Sequence, residues 1–361
     1  MYCDYNATAP LRDSVKKELM SAFDLLGNPS AVHSYGRNVR GCIERARNTI
    51  ADYFKTDAQN VIFTSGATEA NNMILKNHKG PVFLSSIEHS SVFNARIDAQ
   101  SIAVNEDGVV DLYHLESLLK NAEGTMPLVA VMAANNETGV IQPIQDVFNL
   151  CKKYQALLHV DAVQAVGKLE QETYNCATTM TISGHKLGAL SGIGALIKKS
   201  DYHPTALING GGQERRMRSG TENILGIISL GKAIEDLCHD DWHSTQHIRE
   251  HLESMMLKAV PNTIIFGHKV SRLPNTIDVA MPGVSSDLQL MLFDQQNIAI
   301  SSGSACSSGK IQSSRVLKAM NVDPLLINNA IRISFGTKTT LDQAEDLFKA
   351  WFGIYQKHHK K

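Results

Sequence analysis

The chain has no marked excess of charge of either sign and no long apolar run. Its 361 residues include 35 Lys and Arg against 36 Asp and Glu, a formal net charge of -1. Such a balance predicts no basic surface for nucleic acid or an anionic membrane. The longest apolar runs fall short of the roughly 18 residues that a transmembrane helix needs. The start, MYCDYNATAP, lacks a basic stretch followed by an apolar one, so a secretory signal is not expected.

Paired cysteines and the common nucleotide-binding motifs are also missing. The six cysteines stand at positions 3, 42, 151, 176, 238 and 306, with no CxxC pair. This spacing argues against a zinc module and favours reduced thiols in a cytoplasmic protein. The chain has no GxGxxG motif. A P-loop is excluded because Gly303 and Gly309 enclose five residues and Ile311 stands where Ser or Thr is required.

What the chain does have is an alternation of short apolar runs and amphipathic helices. Strands are predicted at 61–66, 81–86, 128–134, 157–162 and 179–183, with helices such as 111–121 and 143–154 between them. Apolar strands separated by helices are typical of a mostly parallel sheet covered on both faces. After about residue 246 the pattern changes, with a helix at 286–296 and a short strand at 298–302. This part predicts a smaller α+β domain.

Polar side chains follow the predicted strands at their carboxyl ends, where parallel α/β sheets bind ligands. The turn in 64-TSGATEANN-72 opens a helix and can bind a phosphate, although an ordinary N-cap turn has the same pattern. Asp161 ends an apolar strand, and Lys186 follows another within the Gly-rich stretch 183-SGHKLGALSGIGAL-196. A phosphate-binding turn, a carboxylate for a pyridinium nitrogen and an amine for an aldehyde are the requirements of pyridoxal 5′-phosphate (PLP).

Cys306 lies in a stretch rich in Gly and Ser, 301-SSGSACSSGKIQSS-314, unlike the apolar surroundings of Cys42 and Cys151. A lone cysteine is usually buried and structural. Here the flanking residues predict a mobile loop that gives the thiol access, and nearby helix N–H groups would favour the thiolate. The sequence therefore predicts a reactive thiol in addition to the lysine.

Taken together, the motifs resemble the NifS/IscS group of cysteine desulfurases, in the class V aminotransferase branch of fold type I PLP enzymes. The segments that carry the resemblance are 4-DYNATAP-10, 28-NPSAVH-33, 63-FTSGATEANN-72, 88-EHSSV-92, 135-NNETGV-140, 159-HVDAVQ-164, 183-SGHK-186, 210-GGGQERRMRSGTEN-223, 301-SSGSACSSG-309 and 331-IRISFG-336. The resemblance implies a large domain (12–245) with a mostly parallel seven-stranded sheet flanked by helices. A smaller α+β domain would comprise residues 1–11 and 246–361 and carry the cysteine loop.

The resemblance also implies roles for the residues around the cofactor ring. Lys186 would form the Schiff base with PLP. His89 would stack over the ring and move protons, although a lone histidine is more often structural. Asp161 would pair with the ring nitrogen. Gln164 and Asn136 would contact the O3′ side of the ring or the substrate.

Further residues are implied at the phosphate and at the substrate. The phosphate would be held by Ala67, Thr68, Ser183 and His185, and by Thr221 of the partner subunit in a homodimer with shared active sites. Arg332 would bind the substrate carboxylate, a task suited to guanidinium, with help from Asn28.

The implied reaction converts L-cysteine to L-alanine and leaves a persulfide on Cys306. The sulfur would pass to an acceptor, such as an iron–sulfur scaffold protein, for cluster assembly or tRNA thiolation. No resident metal is expected; Cys306 would at most be a transient iron–sulfur ligand. The alternatives are a selenocysteine lyase, another class V PLP enzyme such as an aminotransferase, and a catalytically silent regulatory homologue.

Two features stand apart from this resemblance. Where family members usually read Gly-Pro-Lys-Gly, the chain reads 188-GALSG-192, which concerns loop rigidity or a surface contact rather than the chemistry. Histidines recur at positions 239, 243, 247 and 251, a spacing of four that keeps them on one helical face. We expect this stripe to be a solvated or dimer-facing surface rather than a metal site.

Overall fold

The computed structural model describes residues 1–303 and 313–359, and these residues form a large and a small β-sheet. In chain order the strands are β1 (Val61–Thr64), β2 (Val82–Ser85), β3 (Gln100–Ile102), β4 (Leu128–Ala130), β5 (Leu157–Asp161), β6 (Thr179–Ser183), β7 (Gly194–Lys198), β8 (Ile264–Ile265), β9 (Thr276–Ala280) and β10 (Ala330–Ser334). The large sheet has the order β1-β7-β6-β5-β4-β2-β3, and the small sheet has the order β10-β9-β8.

The α-helices are likewise numbered in chain order. They are α1 (Asp13–Ala22), α2 (Ser34–Tyr53), α3 (Ala67–Asn77), α4 (Ser90–Phe93), α5 (Leu112–Asn121), α6 (Ile144–Lys153), α7 (Ile224–Glu235), α8 (Trp242–Ala259), α9 (Ser286–Asp294), α10 (Arg315–Ala319), α11 (Pro324–Asn328) and α12 (Leu341–His358). None of these helices is both long enough and apolar enough to span a membrane, within the part of the chain that the structure describes.

The large sheet is mostly parallel, as the sequence predicts. Only β7 runs antiparallel to its two neighbours, β1 and β6, whereas β3, β2, β4, β5 and β6 pair in parallel. Strands such as β2, β4 and β6 are buried at every position, because helices cover both faces. The carboxyl ends of these parallel strands therefore meet at one edge of the sheet. The interpretation of the sequence missed β3 and β7.

A second apolar cluster joins the small sheet to helices α8, α9 and α12. Trp351 of α12 is fully buried there, together with Phe293 and, from the amino-terminal segment, Cys3. The predicted boundary between domains, at 245 and 246, falls inside α8 and stays a prediction. Membership of Cys3 in this cluster is the contact expected if residues 1–11 belong to the smaller domain.

The strand predicted at 298–302 was wrong as a continuous element. The structure has isolated bridges instead: Ala299 pairs in parallel with Tyr2, and Ser301 pairs antiparallel with Arg332. The segment turns from one partner to another within two residues, so neither pairing grows into a ladder. An alternating pattern of five residues does not show whether the segment pairs with one neighbouring segment or with two.

A buried ion pair attaches the segment after β7 to β1 and α2. Arg47 donates to both carboxylate oxygens of Glu214, at 2.7 and 2.8 Å, and the backbone N–H of Phe63 donates to Glu214 Oε2 at 2.9 Å. The backbone φ angle is positive at Glu214, Arg215 and Arg216. This conformation is unfavourable for residues other than Gly and Asn. The pair holds this strained turn, which belongs to the 210–223 motif that carries Thr221.

We expect Glu214→Ala to lower the free energy of unfolding by about 3 kcal/mol, because it removes the buried carboxylate partner of Arg47 and leaves only Glu44, a carboxylate exposed to solvent, beside the buried guanidinium. The matched control is Glu172→Ala. Glu172 pairs with Lys55 at 3.0 Å with both side chains largely exposed, and such pairs contribute at most about 1 kcal/mol. Urea unfolding of both variants measures the difference. Equal small losses would show that the buried pair does not hold the turn.

Candidate active site

One cavity of about 520 Å³ lies at the carboxyl edge of the large sheet. The residues predicted from the sequence that line it are Ala67, Thr68, His89, Asn136, Asp161, Gln164, Ser183, His185, Lys186 and Arg332. Asn28 and Thr221 are exposed and do not line it. Cys306 lies outside the described residues. The cavity thus brings together most of the predicted site, and it does so because the parallel strands end at this edge.

The start of α3 gives one end of the cavity free backbone donors. Gly66 is the N-cap residue and provides no side-chain cap, so the first N–H groups of the helix face the cavity that Ala67 and Thr68 line. Gly66 has φ 156°, and a Cβ added there would meet no atom within 4 Å. The open space and the positive end of the helix suit an anion such as a phosphate.

His185 lines the same cavity in its neutral form. Its Nδ1 is 2.6 Å from the hydroxyl oxygen of Thr8. Burial, reinforced by the Lys186 ammonium, lowers the pKa of His185 to about 4. If Thr8 donates to Nδ1, the proton of the neutral ring is on Nε2, which is then a donor. Sequence reasoning missed Thr8, although it lies in the 4–10 motif.

Lys186 is held by the amino-terminal segment. Its Nζ donates to the carbonyl oxygens of Asn6 and Ala7, at 2.6 and 2.7 Å. The lysine ends a 3-10 turn that follows β6, and the carbonyl of the preceding His185 accepts from Ala9 N at 2.9 Å. The amine is therefore presented to the cavity by contacts between segments about 180 residues apart in sequence.

Asp161 is buried and is oriented by a chain of hydrogen bonds. Its Oδ2 accepts from the Asn71 amide at 2.9 Å, and Asn71 Oδ1 lies 2.9 Å from His159 Nε2. His159 Nδ1 lies 2.8 Å from the Thr179 hydroxyl. Burial lowers the pKa of His159 to about 3, so the ring is neutral and donates to Asn71 through Nε2. Sequence reasoning missed Asn71 and His159; both lie in quoted motifs.

The same asparagine connects Asp161 to His89. The second amide hydrogen of Asn71 reaches the Ser91 hydroxyl oxygen at 3.0 Å, and that oxygen is 2.9 Å from His89 Nδ1. Ser91 N also donates to His89 Nδ1, at 3.1 Å. One buried amide thus positions both the carboxylate and the imidazole that line the cavity.

Arg332, on β10 of the small sheet, also lines the cavity. Its Nη2 donates to Asp4 Oδ1 at 2.7 Å, and its Nη1 donates to the carbonyl of Asn136 at 3.1 Å. Its Nε has no hydrogen-bond partner among residues 1–303 and 313–359. A guanidinium has five N–H donors, so donors remain for a carboxylate in the cavity.

Glu88 is a further buried carboxyl that sequence reasoning did not single out. Its Oε1 accepts from the Ser85 hydroxyl and from Met132 N, both at 2.6 Å. Burial, with a further contribution from the charge of Asp161, raises the pKa of Glu88 to about 8. The group is therefore protonated at neutral pH, and it does not line the cavity, whereas Asp161 does.

The four histidines do not share one helix: His239 ends the 3-10 turn Asp236–His239, and the other three lie on α8. The Nε2 atoms of His243 and His247 lie 3.0 Å apart on α8, and His251 Nε2 lies 3.7 Å from Glu345 of α12. Among the residues that the structure describes, no group of three or more His, Cys, Asp or Glu side chains is placed to hold a metal ion.

Comparisons with known proteins agree on one family. Residues 1–347 match the family described as aminotransferase class V. Cysteine desulfurase 2 of Trichormus variabilis is 36% identical over 357 residues, which cover 94% of this chain and 89% of that protein. Cysteine desulfurase IscS of Dictyoglomus turgidum is 36% identical over 362 residues, covering 94% and 90%. The X-ray structure of a NifS-like protein from Rickettsia africae superposes with a TM-score of 0.91 at 37% identity, over 99% of each chain.

We expect Glu88→Gln to stabilise the protein increasingly as the pH rises from about 4.3 to 8. In that window the unfolded carboxyl has lost its proton, whereas the folded one keeps it. The unfolded wild-type chain therefore binds fewer protons, and the free energy of unfolding falls by up to about 1.4 kcal/mol per pH unit. Glutamine does not titrate and escapes this loss.

Urea unfolding of both proteins without added cofactor, at pH 5, 6, 7 and 8, measures the difference. Glu116→Gln serves as the control, because Glu116 is a surface carboxyl paired with Lys153 and its pKa is lowered rather than raised. A stability difference between Glu88→Gln and wild type that stays constant with pH would contradict the assignment of a protonated Glu88.

Proposed function

Because this chain belongs to the aminotransferase class V family, and within it to the NifS/IscS group of cysteine desulfurases, we propose that it converts L-cysteine to L-alanine and that Cys306 takes the sulfur. The observation that carries the proposal is the meeting of Lys186, Asp161 and Arg332 in one cavity. An amine, a buried carboxylate and a guanidinium are the groups needed for an aldehyde cofactor, its ring nitrogen and an amino-acid carboxylate.

The residues present fit pyridoxal 5′-phosphate. The uncapped start of α3, with the open space at Gly66, suits the phosphate. Asp161, held by Asn71, suits the ring nitrogen, and Lys186 suits the aldehyde. When bound, PLP supplies an electron sink for the α-carbon of an amino acid.

The protein's own groups bind the substrate and move its protons. Arg332 binds the carboxylate of L-cysteine through the donors that Asp4 and Asn136 leave available. Lys186 Nζ accepts the proton from the substrate Cα and returns one later. Ser91 sets the orientation of His89. His89 assists this proton transfer from the side of the cavity that it lines.

The sulfur step requires a thiolate, which we assign to Cys306. Its sulfur forms a bond to the substrate sulfur while the bond between that sulfur and Cβ breaks. The electron pair of the broken bond stays with carbon, and a proton completes the methyl group of alanine. The Cys306 persulfide then passes its outer sulfur to a thiol of an acceptor protein. The similarity to proteins named IscS supports an iron–sulfur assembly partner, with tRNA thiolation as a further destination.

A homodimer with shared sites is part of the proposal. Thr221 is exposed and does not line the cavity of its own chain, which is what a residue destined for the partner's site requires. Near Asn28 the surface exposes several large apolar side chains, namely Met20, Phe23, Leu26, Val32 and Tyr35. An exposed apolar patch of this kind is typical of a subunit interface.

We also propose a cytoplasmic location, where thiols stay reduced. The five cysteines within the described residues are all free thiols: Cys3, Cys42, Cys151, Cys176 and Cys238. A reducing compartment would keep Cys306 available to receive sulfur.

A paired assay of wild type and Cys306→Ala tests the reaction. Both proteins should be yellow, with absorption at roughly 390–430 nm from the lysine-bound cofactor, and only wild type should form alanine and sulfide from L-cysteine with a reducing thiol as acceptor. Equal turnover in both would indicate a lyase or an aminotransferase. A protein that stays colourless after PLP is added would contradict the cofactor assignment and favour a silent homologue.

Mixing two inactive variants tests the shared site. In a heterodimer of Lys186→Ala and Thr221→Asp subunits, one site has an intact Lys186 and receives an intact Thr221 from the other subunit. Subunit exchange at equal amounts should therefore restore up to about a quarter of wild-type activity, since half of the dimers are mixed and each has one intact site. If Thr221 acts on the site of its own chain, mixing restores nothing.

A further inference from the structure

Lys168 lies behind the cofactor cavity, in the turn that follows β5. Its Nζ donates to Gln164 Oε1 at 2.9 Å and lies 5.9 Å from the centre of the Trp242 ring. Lys168 is not among the residues that line the cavity. The ammonium therefore acts on the cavity only through Gln164 and through its charge.

The contact with Lys168 determines which way the Gln164 amide points. Gln164 Nε2 donates to the carbonyl of Asn6 at 3.0 Å, while Oε1 accepts from Lys168. A flipped amide would place its N–H groups against the ammonium and its oxygen against a carbonyl, and both contacts would be repulsive. Gln164 is buried and lines the cavity. Its remaining N–H is therefore the group left to serve a ligand there, and Gln164 is a donor to that ligand.

The charge of Lys168 also acts on Lys186. Both lysines line a neighbouring cavity of about 620 Å³ between the amino-terminal segment and α8. Burial first, and then the charges of Lys186 and Arg332, lower the pKa of Lys168 to about 7. The interaction is mutual, so a cation at Lys168 disfavours a second cation at Lys186 and favours its neutral amine.

No carboxylate lies within 4 Å of the Lys168 ammonium in the described part of the chain. Three of the acids around it have other cationic partners, and Asp241, which lines the same cavity, accepts from Ser244 instead. Asp240 pairs with Arg12 at 2.5 Å, and Glu253 pairs with Arg272 at 2.8 Å. Asp236 pairs with Lys232 at 3.1 Å. Below about pH 7, where Lys168 keeps its proton, no paired carboxylate cancels its charge, which therefore acts on the site.

We propose that Lys168 is a positioning residue of this site: it holds the Gln164 amide so that Gln164 donates to the anionic ring oxygen of PLP, and its charge disfavours a second positive charge at Lys186. The inference rests on the proposed function, since it requires PLP in the cavity.

The test uses the full-length protein with Lys168→Met, Lys168→Gln and Lys168→Arg. The readouts are the dissociation constant of PLP and the midpoint of the pH-dependent change in the visible spectrum. Lys168→Met loses both the donor and the charge, so PLP should bind about tenfold more weakly, the size of one hydrogen bond to a charged group. Its spectral midpoint should rise by about one pH unit, because the nearby cation that favours deprotonation is gone.

The other two variants separate the two effects. Lys168→Gln keeps a donor for Gln164 without the charge, so the midpoint should rise while PLP affinity stays near wild type. Lys168→Arg keeps the charge and should titrate as wild type does. The matched control is Lys198→Met. Lys198 is also buried and donates to an amide oxygen, that of Asn60 at 3.2 Å, but at the far end of β7, about 13 Å along the strand from Gly194.

The inference is overturned if Lys168→Met and Lys168→Gln both titrate and bind PLP as wild type does. It is also overturned if Lys168→Arg or Lys198→Met shifts the midpoint as far as Lys168→Met does. The shift would then not depend on a positive charge at position 168. Wild-type protein that does not bind PLP would refute the proposed function instead, so the two failures are distinguishable.

Discussion

The contacts of one buried asparagine connect the two sheets and the cavity between them. Asn6 donates its backbone N–H to the Ser334 hydroxyl of β10 at 3.0 Å and its side-chain amide to the Thr276 hydroxyl of β9 at 2.9 Å. Its carbonyl accepts from Lys186 and from Gln164 on the large-sheet side. The positions of the amine, the glutamine and the small sheet therefore all depend on a segment that is neither helix nor strand.

Burial determines most of the charges in this region. His159 and His185 are neutral because desolvation disfavours the imidazolium, and Glu88 is protonated because desolvation disfavours the carboxylate. Both carboxyl groups accept two hydrogen bonds: Asp161 from the Asn71 amide and Val163 N, and Glu88 from the Ser85 hydroxyl and Met132 N. Of the two, only Asp161 lines the cavity.

Most, but not all, of the predicted site residues line the cavity of a single chain. The start of α3, Lys186 and Arg332 line one cavity within a single chain, whereas Thr221 and Asn28 lie outside it. Glu214 holds the segment of Thr221 onto β1 through Arg47 and Phe63, so this residue is displayed on a strained and anchored turn. A displayed and anchored residue with no role in its own cavity is consistent with the shared sites proposed for a dimer.

The sequence by itself determined five of the seven strands of the large sheet, the family, and a lysine and a carboxylate that line one cavity. These follow from local patterns: apolar strands with polar residues at their ends, and motifs whose order is visible in one dimension. The prediction of a strand at 298–302 was wrong, because a pattern of five alternating residues is the same whether the segment pairs with one neighbour or with two.

Only the tertiary structure showed which of the polar residues act through one another. Asn71 and His159 stand 88 positions apart yet share a hydrogen bond that orients Asp161, and Lys168 reaches the site through Gln164. Hydrogen bonds between side chains on different elements leave no periodic trace in a sequence. The pKa values of buried groups are set in the same way, by desolvation and by neighbours that only folding brings near.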